Sequence, residues 1–375
     1  MDTRVPKRVR TGAISRIRRS LGMLWRAPLL LGLTTSLGAL AFAAEKAAKP
    51  DTSRAAASVI RVSARQIDWF LKSGGGTRFG PLEWRGGLVL SSEDERFGGW
   101  SGLAIDAEGQ RVVAVSDAGT WLTGRLTYAG RKPAGLDDVR IGPLKARDGG
   151  RLKRDKDRDA EAVVLLDGSP SRGHIAVAFE QNHRIGVFEV DATRGVTGPS
   201  RYLPLPAEAK RMRRLKGIEA LTELRAGRHK GALLAFAEQM ADEHGHHTGW
   251  IMAGGRSHKL ALEDIGGFEP TDAVGLPDGD VILLERRFRW LEGVKMRLRR
   301  LSVRDIAPGA VLKGEVLLEA DMTAEIDNME AIAAHPEGNG DYVLTLLSDD
   351  NFNGFLQRTV LLQFVLKAGR PQVSN

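Results

Sequence analysis

The sequence predicts an all-β fold, a single β-propeller of five to six four-stranded blades, and three observations carry that expectation. From Val59 onward the chain consists of apolar runs of four to eight residues separated by Gly, Pro, Asp and Asn, the pattern of buried strands joined by turns. No sustained helical period competes with it. One unit recurs five times: a small or acidic residue, a short apolar strand, a turn, a second apolar strand and an acidic residue at its end. The lead positions Ser101, Glu161, Glu219, Asp272 and Glu330 are spaced by 60, 58, 53 and 58 residues. A period in the fifties is too long for WD40-type repeats and suits irregular four-stranded blades. A β-sandwich would not need the same unit five times, and a β-helix would show much shorter rungs.

Taken in order, residues 1–43 read as a signal peptide. Eight basic residues and one acid, Asp2, fall within the first 44 positions, and an uncharged, leucine-rich stretch runs from Ala27 to Ala44. It contains Ala41-Phe42-Ala43, the small-x-small form that a signal peptidase reads. An uncleaved anchor is the alternative, and Pro28, Gly32 and Gly38 make the stretch a poor permanent span. The basic end stays cytoplasmic in both cases, so the body is expected to be periplasmic or secreted, touching a membrane only through the leader if it is not cut.

Residues 44–58 are small and polar and read as a linker, residues 59–368 as the propeller domain and 369–375 as a tail. The five units are WSGLAIDAEGQRVVAVSD (100–117), DAEAVVLLDGSPSRGHIAVAFE (159–180), GIEALTELRAGRHKGALLAFAE (217–238), EPTDAVGLPDGDVILLER (269–286) and NMEAIAAHPEGNGDYVLTLLSDD (328–350). The last strand, 359–366, is expected to complete a blade begun by N-terminal strands near Val59–Val62 and Gln66–Leu71. Such closure removes the edges that invite aggregation.

Composition narrows the function. The formal net charge is +8, but nearly all of it belongs to the leader, so the body is close to neutral and nothing argues for a nucleic-acid partner. There is no cysteine, which excludes thiol nucleophiles, disulfides and Cys-ligated metals. A small-molecule substrate or an envelope ligand remains, taken by a monomer.

The repeat also gathers charge. Each unit is a hairpin, so the residue opening its first strand and the residue closing its second lie at the same end. This pairs Ser101 with Asp117, Glu161 with Glu180, Glu219 with Glu238, Asp272 with Glu285, and Glu330 with Asp349. If these hairpins are the inner strands of their blades, their carboxylates surround one mouth of a central channel. Two like charges about 5 Å apart repel by roughly 3 kcal/mol at an effective dielectric of 20. Three outcomes answer that repulsion: protonation, ion pairing with neighbours such as Arg158, Arg184, Lys216, Arg286 and Arg287, or capture of a cation. Oxygen-only ligands favour Ca²⁺ or Mg²⁺ over zinc. The metal candidates are therefore Asp117, Glu161, Glu180, Glu219, Glu238, Asp272, Glu285, Glu330 and Asp349.

Other motifs are bland. RLKRDKDRD (151–159) alternates acids as a Ca²⁺ loop does but lacks the turn glycine, and reads as an exposed charged loop. DEHGHH (242–247) reads as a solvated loop. Gly99-Trp100-Ser101-Gly102 misplaces the second glycine of a nucleophile elbow.

GWSGLAID, VVAVSDAGTW, DAEAVV, GIEALTE, PTDAVGLPDGDVILLERRF and DNMEAIAAH, followed by SDDNFN (348–353) and QRT (357–359), resemble the bacterial phytase-like domain described as "esterase-like activity of phytase". The resemblance covers about Gly80 to Phe364 and implies a propeller in an exported protein, with phosphoester or ester hydrolysis. One departure is Ser101, which stands where later units carry an acid. On this reading Ca²⁺ held by the carboxylates offsets phosphate charge and activates water. Glu161, Glu219, Asp272 and Glu330 are the catalytic candidates, and Arg184, Lys216, Arg286 and Arg287 the substrate-binding ones, arginine suiting bidentate phosphate contacts. The alternative is a non-catalytic propeller that binds a ligand or protein partner.

Overall fold

The computed structural model describes residues 49–212 and 216–368, and the expected leader and tail lie outside them. Five sheets, antiparallel but for one short edge strand, follow one another around a central channel. Blade one is built from Trp100–Ile105, Arg111–Ser116, Thr120–Ala129 and Lys132–Pro143, with Ser58–Val59 added at its outer edge. Blade two is Ala160–Ser169, Arg172–Phe179, Arg184–Asp191 and Gly195–Leu203. Blade three is Ile218–Glu223, Leu233–Ala241, His247–Ala253 and Arg256–Leu262, with Val311–Leu312 running parallel to its outer strand. Blade four is Glu269–Gly275, Val281–Arg289, Gly293–Leu301 and Glu315–Ala320. Blade five joins the two ends of the chain: Asn328–Gly338, Asp341–Asp349 and Thr359–Leu366 continue into the N-terminal Leu82–Ser91 and Ser63–Ile67.

There are five blades, and closure uses strands slightly later than the sequence suggested. Thr359–Leu366 pairs along its whole length with Leu82–Ser91, from Thr359↔Leu90 to Leu366↔Leu82. Ser58–Val59, expected in the same sheet, pairs instead with blade one. Phe364 explains the tightness of the closing seam, meeting Phe70 at 5.0 Å and Trp84 at 5.1 Å between ring centroids, in edge-on geometries that suit aromatic quadrupoles.

The core is five layers between blades. Along Val281–Arg289, Val281 and Leu283 pack toward blade three, while Ile282 and Leu284 pack toward blade five. Along Arg172–Phe179, Ile175, Val177 and Phe179 face blade one, and Ala176 and Ala178 face blade three. A strand's side chains alternate between faces, and here both faces are covered, so the strands read as unbroken apolar runs.

The first strand of each unit is the innermost strand of its blade. Where these strands run away from their starting ends, Leu103, Ile105, Val163, Leu221, Ala273 and Ile332 line a cavity of about 450 Å³. Among the described residues no helix is long and apolar enough to cross a membrane.

Candidate functional site

The starting ends of the five inner strands share one irregularity. The pairing of first and second strand slips by one residue at Ser101, Glu161, Glu219, Thr271 and Glu330. A bulge of this kind leaves one residue unpaired and re-aims its side chain. Four of the five are the lead residues read from the sequence. In blade four the equivalent residue is Thr271, one position before Asp272.

The same offset affects the partner position. Asp117, Glu180 and Glu238 donate their backbone amides to Gly99, Asp159 and Gly217, and Asp349 pairs with Asn328. The corresponding pair in blade four is Glu269↔Arg286. Arg286, not Glu285, therefore stands in the ring of Asp117, Glu180, Glu238 and Asp349.

Asp272 and Glu285 consequently leave the mouth. Asp272 takes the place of Gly102, Ala162, Ala220 and Ala331, the small residues that follow each bulge, and is fully buried. Its Oδ1 accepts from Ala273 N at 2.8 Å and its Oδ2 from Ile332 N at 2.8 Å, and Leu221 supplies a third backbone amide. It thus ties together the inner strands of blades three, four and five. Burial pushes its carboxyl well above the usual range, and the amides oppose that shift. Glu285 points into the blade, ion-paired to the fully buried Arg299 and lying 3.8 Å from Arg297. Its pKa is pushed up to about 7 by burial, which the two arginines counter.

The candidate cations also divide. Lys216 Nζ reaches both oxygens of Glu238, at 2.8 and 2.6 Å. Arg286 spans the mouth: Nη1 donates to Asn328 Oδ1 at 2.6 Å, Nε lies 3.3 Å from Glu330 Oε1, and Nη2 lies 3.8 Å from Glu238 Oε1. Arg184 instead lies over the Phe179 ring, 3.8 Å from its centroid, and donates to the carbonyls of Asn182 and Asp157. Arg287 alternates to the opposite side of its strand from Arg286, where it pairs with Glu292 and donates to Gly266 O.

Asp159 joins the mouth although the charged run that carries it reads as exposed. Asp155–Arg158 forms a single helical turn, and Arg158 and Asp159 are both buried. Asp159 accepts from Gln181 Nε2 at 2.6 Å, and Gln181 holds the left-handed backbone (φ 53°) that turns the chain back after Glu180. The missed signal was position: Asp159 stands two residues before a bulge, like Gly99, Gly217 and Glu269.

The acidic side of the mouth belongs to blades two and three. One oxygen each from Asp159, Glu161 and Glu180 lie within 4.8 Å of one another, and so do oxygens of Glu180, Glu219 and Glu238. Oxygens bound to one Ca²⁺ at about 2.4 Å stand at most about 4.8 Å apart, so each triad fits one ion. Burial, then the charges of Asp159 and Glu238, pushes Glu180 up to about 8. Burial, then Glu161, Glu238, Glu180 and Glu330, pushes Glu219 well above the carboxylate range. Among the described residues no basic side chain lies within ion-pair distance of Glu219. Burial also raises Glu238 against the pull of Lys216.

SDDNFN (348–353) forms a turn beside this mouth. Asp349 Oδ1 accepts from Asn351 N, Asp350 Oδ1 accepts from Gly99 N and Phe352 N, and Asn351 and Phe352 are both left-handed. Phe352 lies over Gly99, where a side chain would collide with it and with Asp117.

The sequence profile of the family described as "Phytase-like: Esterase-like activity of phytase" matches residues 95–352. No curated protein matches the chain. Similar solved structures include a Bacteroides thetaiotaomicron protein of unknown function (11% identity, TM-score 0.41, covering 83% of this chain and 76% of that one). Another is a putative 6-phosphogluconolactonase from Bacteroides uniformis (14%, 0.32, 84% and 84%). A third is the β-propeller domain of Myceliophteria thermophila Cps50 (Swd1) (10%, 0.35, 82% and 99%).

Proposed function

Because this chain belongs to the phytase-like family, whose described property is an esterase-like activity of phytase, we propose that it is a hydrolase of phosphate or carboxylic esters, working at the acidic mouth with a divalent cation. The observation that carries this reading is Glu180, shared by two carboxylate triads that each have the span of one ion. Ca²⁺ suits an all-oxygen donor set, and when bound it would offset substrate charge and lower the pKa of a water. Arg286 and Lys216, at the edge of the triads, are placed to hold anionic oxygens of the substrate. Glu219, whose carboxyl is pushed upward by burial and by the neighbouring Glu161, Glu238 and Glu180, would take or give a proton at the reacting group. Asp159, Glu161, Glu180, Glu219 and Glu238 form the proposed ligand set, with Asp117, Glu330 and Asp349 around it.

The leader would deliver the domain to the periplasm or the exterior, where Ca²⁺ is available, and the substrate is a small molecule.

The test is turnover of phosphate monoesters and carboxylic esters by the chelator-treated protein with and without added Ca²⁺. Ca²⁺-dependent turnover that falls at least about a hundredfold in Glu219→Gln, with the fold retained, is the expected result. Activity unchanged in that variant would sink the assignment. A second reading, a propeller that binds an envelope ligand or protein without turning it over, is favoured by the ion pairs that Lys216 and Arg286 already make with the acids. It predicts no hydrolysis of either ester class and a ligand recovered by co-purification.

A further inference from the structure

The segment that precedes the first blade is fastened across the mouth. Thr52–Arg54 makes one 3₁₀ turn, with Asp51 accepting from Ser53 N at 3.2 Å and Ser53 Oγ at 2.7 Å. Thr52 is buried and its Oγ1 donates to Ala118 O at 2.7 Å, directly after Asp117 in blade one. Asp51 also pairs with the buried Arg158, directly before Asp159 in blade two. Ser58–Val59 then adds to the outer edge of blade one, Ser58 opposite Ile141. The anchors on Ala118 and Arg158 flank the two acids and set Lys49 between them. Lys49 Nζ lies 3.0 Å from Asp117 Oδ2, donates to Asp117 O at 3.0 Å, and pairs with Asp159 Oδ1. Asp117 and Asp159 are buried, whereas the Lys49 side chain stays 23% exposed and has a path to water.

We propose that residues 49–54 are an inhibitory strap, and that Lys49 is a tethered ammonium that a divalent cation must displace to use Asp159. Asp159 is a member of the triad with Glu161 and Glu180, so the ammonium and the cation contend for the same oxygen donor. An ammonium supplies one charge and three donors to a site whose geometry also suits a doubly charged ion. The strap lowers the occupancy of that triad until cation concentration overcomes it, by the ordinary competition of two ligands for one state. This inference rests on the cation reading of the mouth.

The experiment is calorimetric titration of Ca²⁺ into the chelator-treated protein and three variants. Lys49→Gln removes the ammonium, Lys49→Arg keeps a charge there, and Thr52→Val unfastens the strap with Lys49 in place. Lys49→Gln and Thr52→Val should both tighten Ca²⁺ binding by roughly fivefold, with Lys49→Arg close to the parent. Tightening in Lys49→Gln alone would make Lys49 a fixed charge and overturn the strap. Equal affinity in all four proteins would overturn the strap while leaving the cation site standing. Absence of binding in all four would overturn the cation reading, and the strap with it.

Discussion

Glu219 and Asp272 show how one residue's environment decides between chemistry and architecture. Both are buried carboxyl groups on inner strands. Glu219 occupies a bulge, its carboxyl lies beside those of Glu180 and Glu238, and the charges of Glu161 and Glu330 also act on it. Asp272, one position past the equivalent bulge, meets backbone amides from three blades. The consequences of substitution are opposite. Glu219→Gln removes a carboxyl that its acidic neighbours disfavour, so in the presence of chelator it should raise the melting temperature, while cation binding at the Glu180, Glu219 and Glu238 triad is lost. Asp272→Ala strips the acceptor from three buried donors and should cost about 3 kcal/mol or more, read as a lower denaturant midpoint. Aligning the units by acid type puts Asp272 at the mouth; aligning them by bulge puts Thr271 there. The sequence contains the correction in principle, because Thr271 restores the bulge–small-residue alternation of the other units, but only with a polar residue in the small position.

At the scale of the element, the hairpin of blade four carries its chemistry on alternating sides. Arg286 faces the mouth, while Glu285 and Arg287 face into the blade and its rim. Glu285, Arg299 and Arg297 form a buried ion group, with Arg299 Nη1 also donating to the carbonyls of Glu263 at 2.9 Å and Lys313 at 3.0 Å. Arg299→Met should therefore destabilise the protein by about 3–5 kcal/mol, because it strands a buried carboxylate and two carbonyls. Thermal melting with and without a matching Glu285→Gln change checks this, since the double variant should recover part of the loss. Nothing in the spacing of VILLERRFR announces which of its charged residues faces the channel. That depends on a one-residue slip, and a slip moves every side chain to the other face.

The whole molecule gathers acids from neighbouring blades, and its stability should register them. Glu180, raised to about 8, and Glu219 and Glu238, also raised, hold protons in the folded state that the unfolded chain gives up near its ordinary carboxylate pKa. The folded state then binds more protons than the unfolded state, and stability falls as pH rises. For Glu180 the loss should begin above about pH 4.5 and be complete just above pH 8. A bound divalent cation favours the ionised forms and should reverse the trend. Melting temperatures between pH 5 and 8.5, in chelator and in millimolar Ca²⁺, check both statements: a falling curve in chelator and a flat or rising one with the ion.

The sequence by itself determined the fold class, the five repeated units and the return of each hairpin's acids to the end where it began; that each unit's first strand is innermost came from the structure. The first three follow from local patterning: strands buried on both faces must be apolar runs, and hairpins return to the end where they began. The tertiary structure alone decided which acids face one another. It substituted Thr271 and Arg286 for Asp272 and Glu285, brought Asp159 in from a charged run, and laid Lys49 across the mouth. Each of those placements depends on a bulge, a buried turn or a contact between segments distant in the chain. The repeat marks the bulge positions but not which side chains meet there, because that energy comes from partners that only the closed ring brings together.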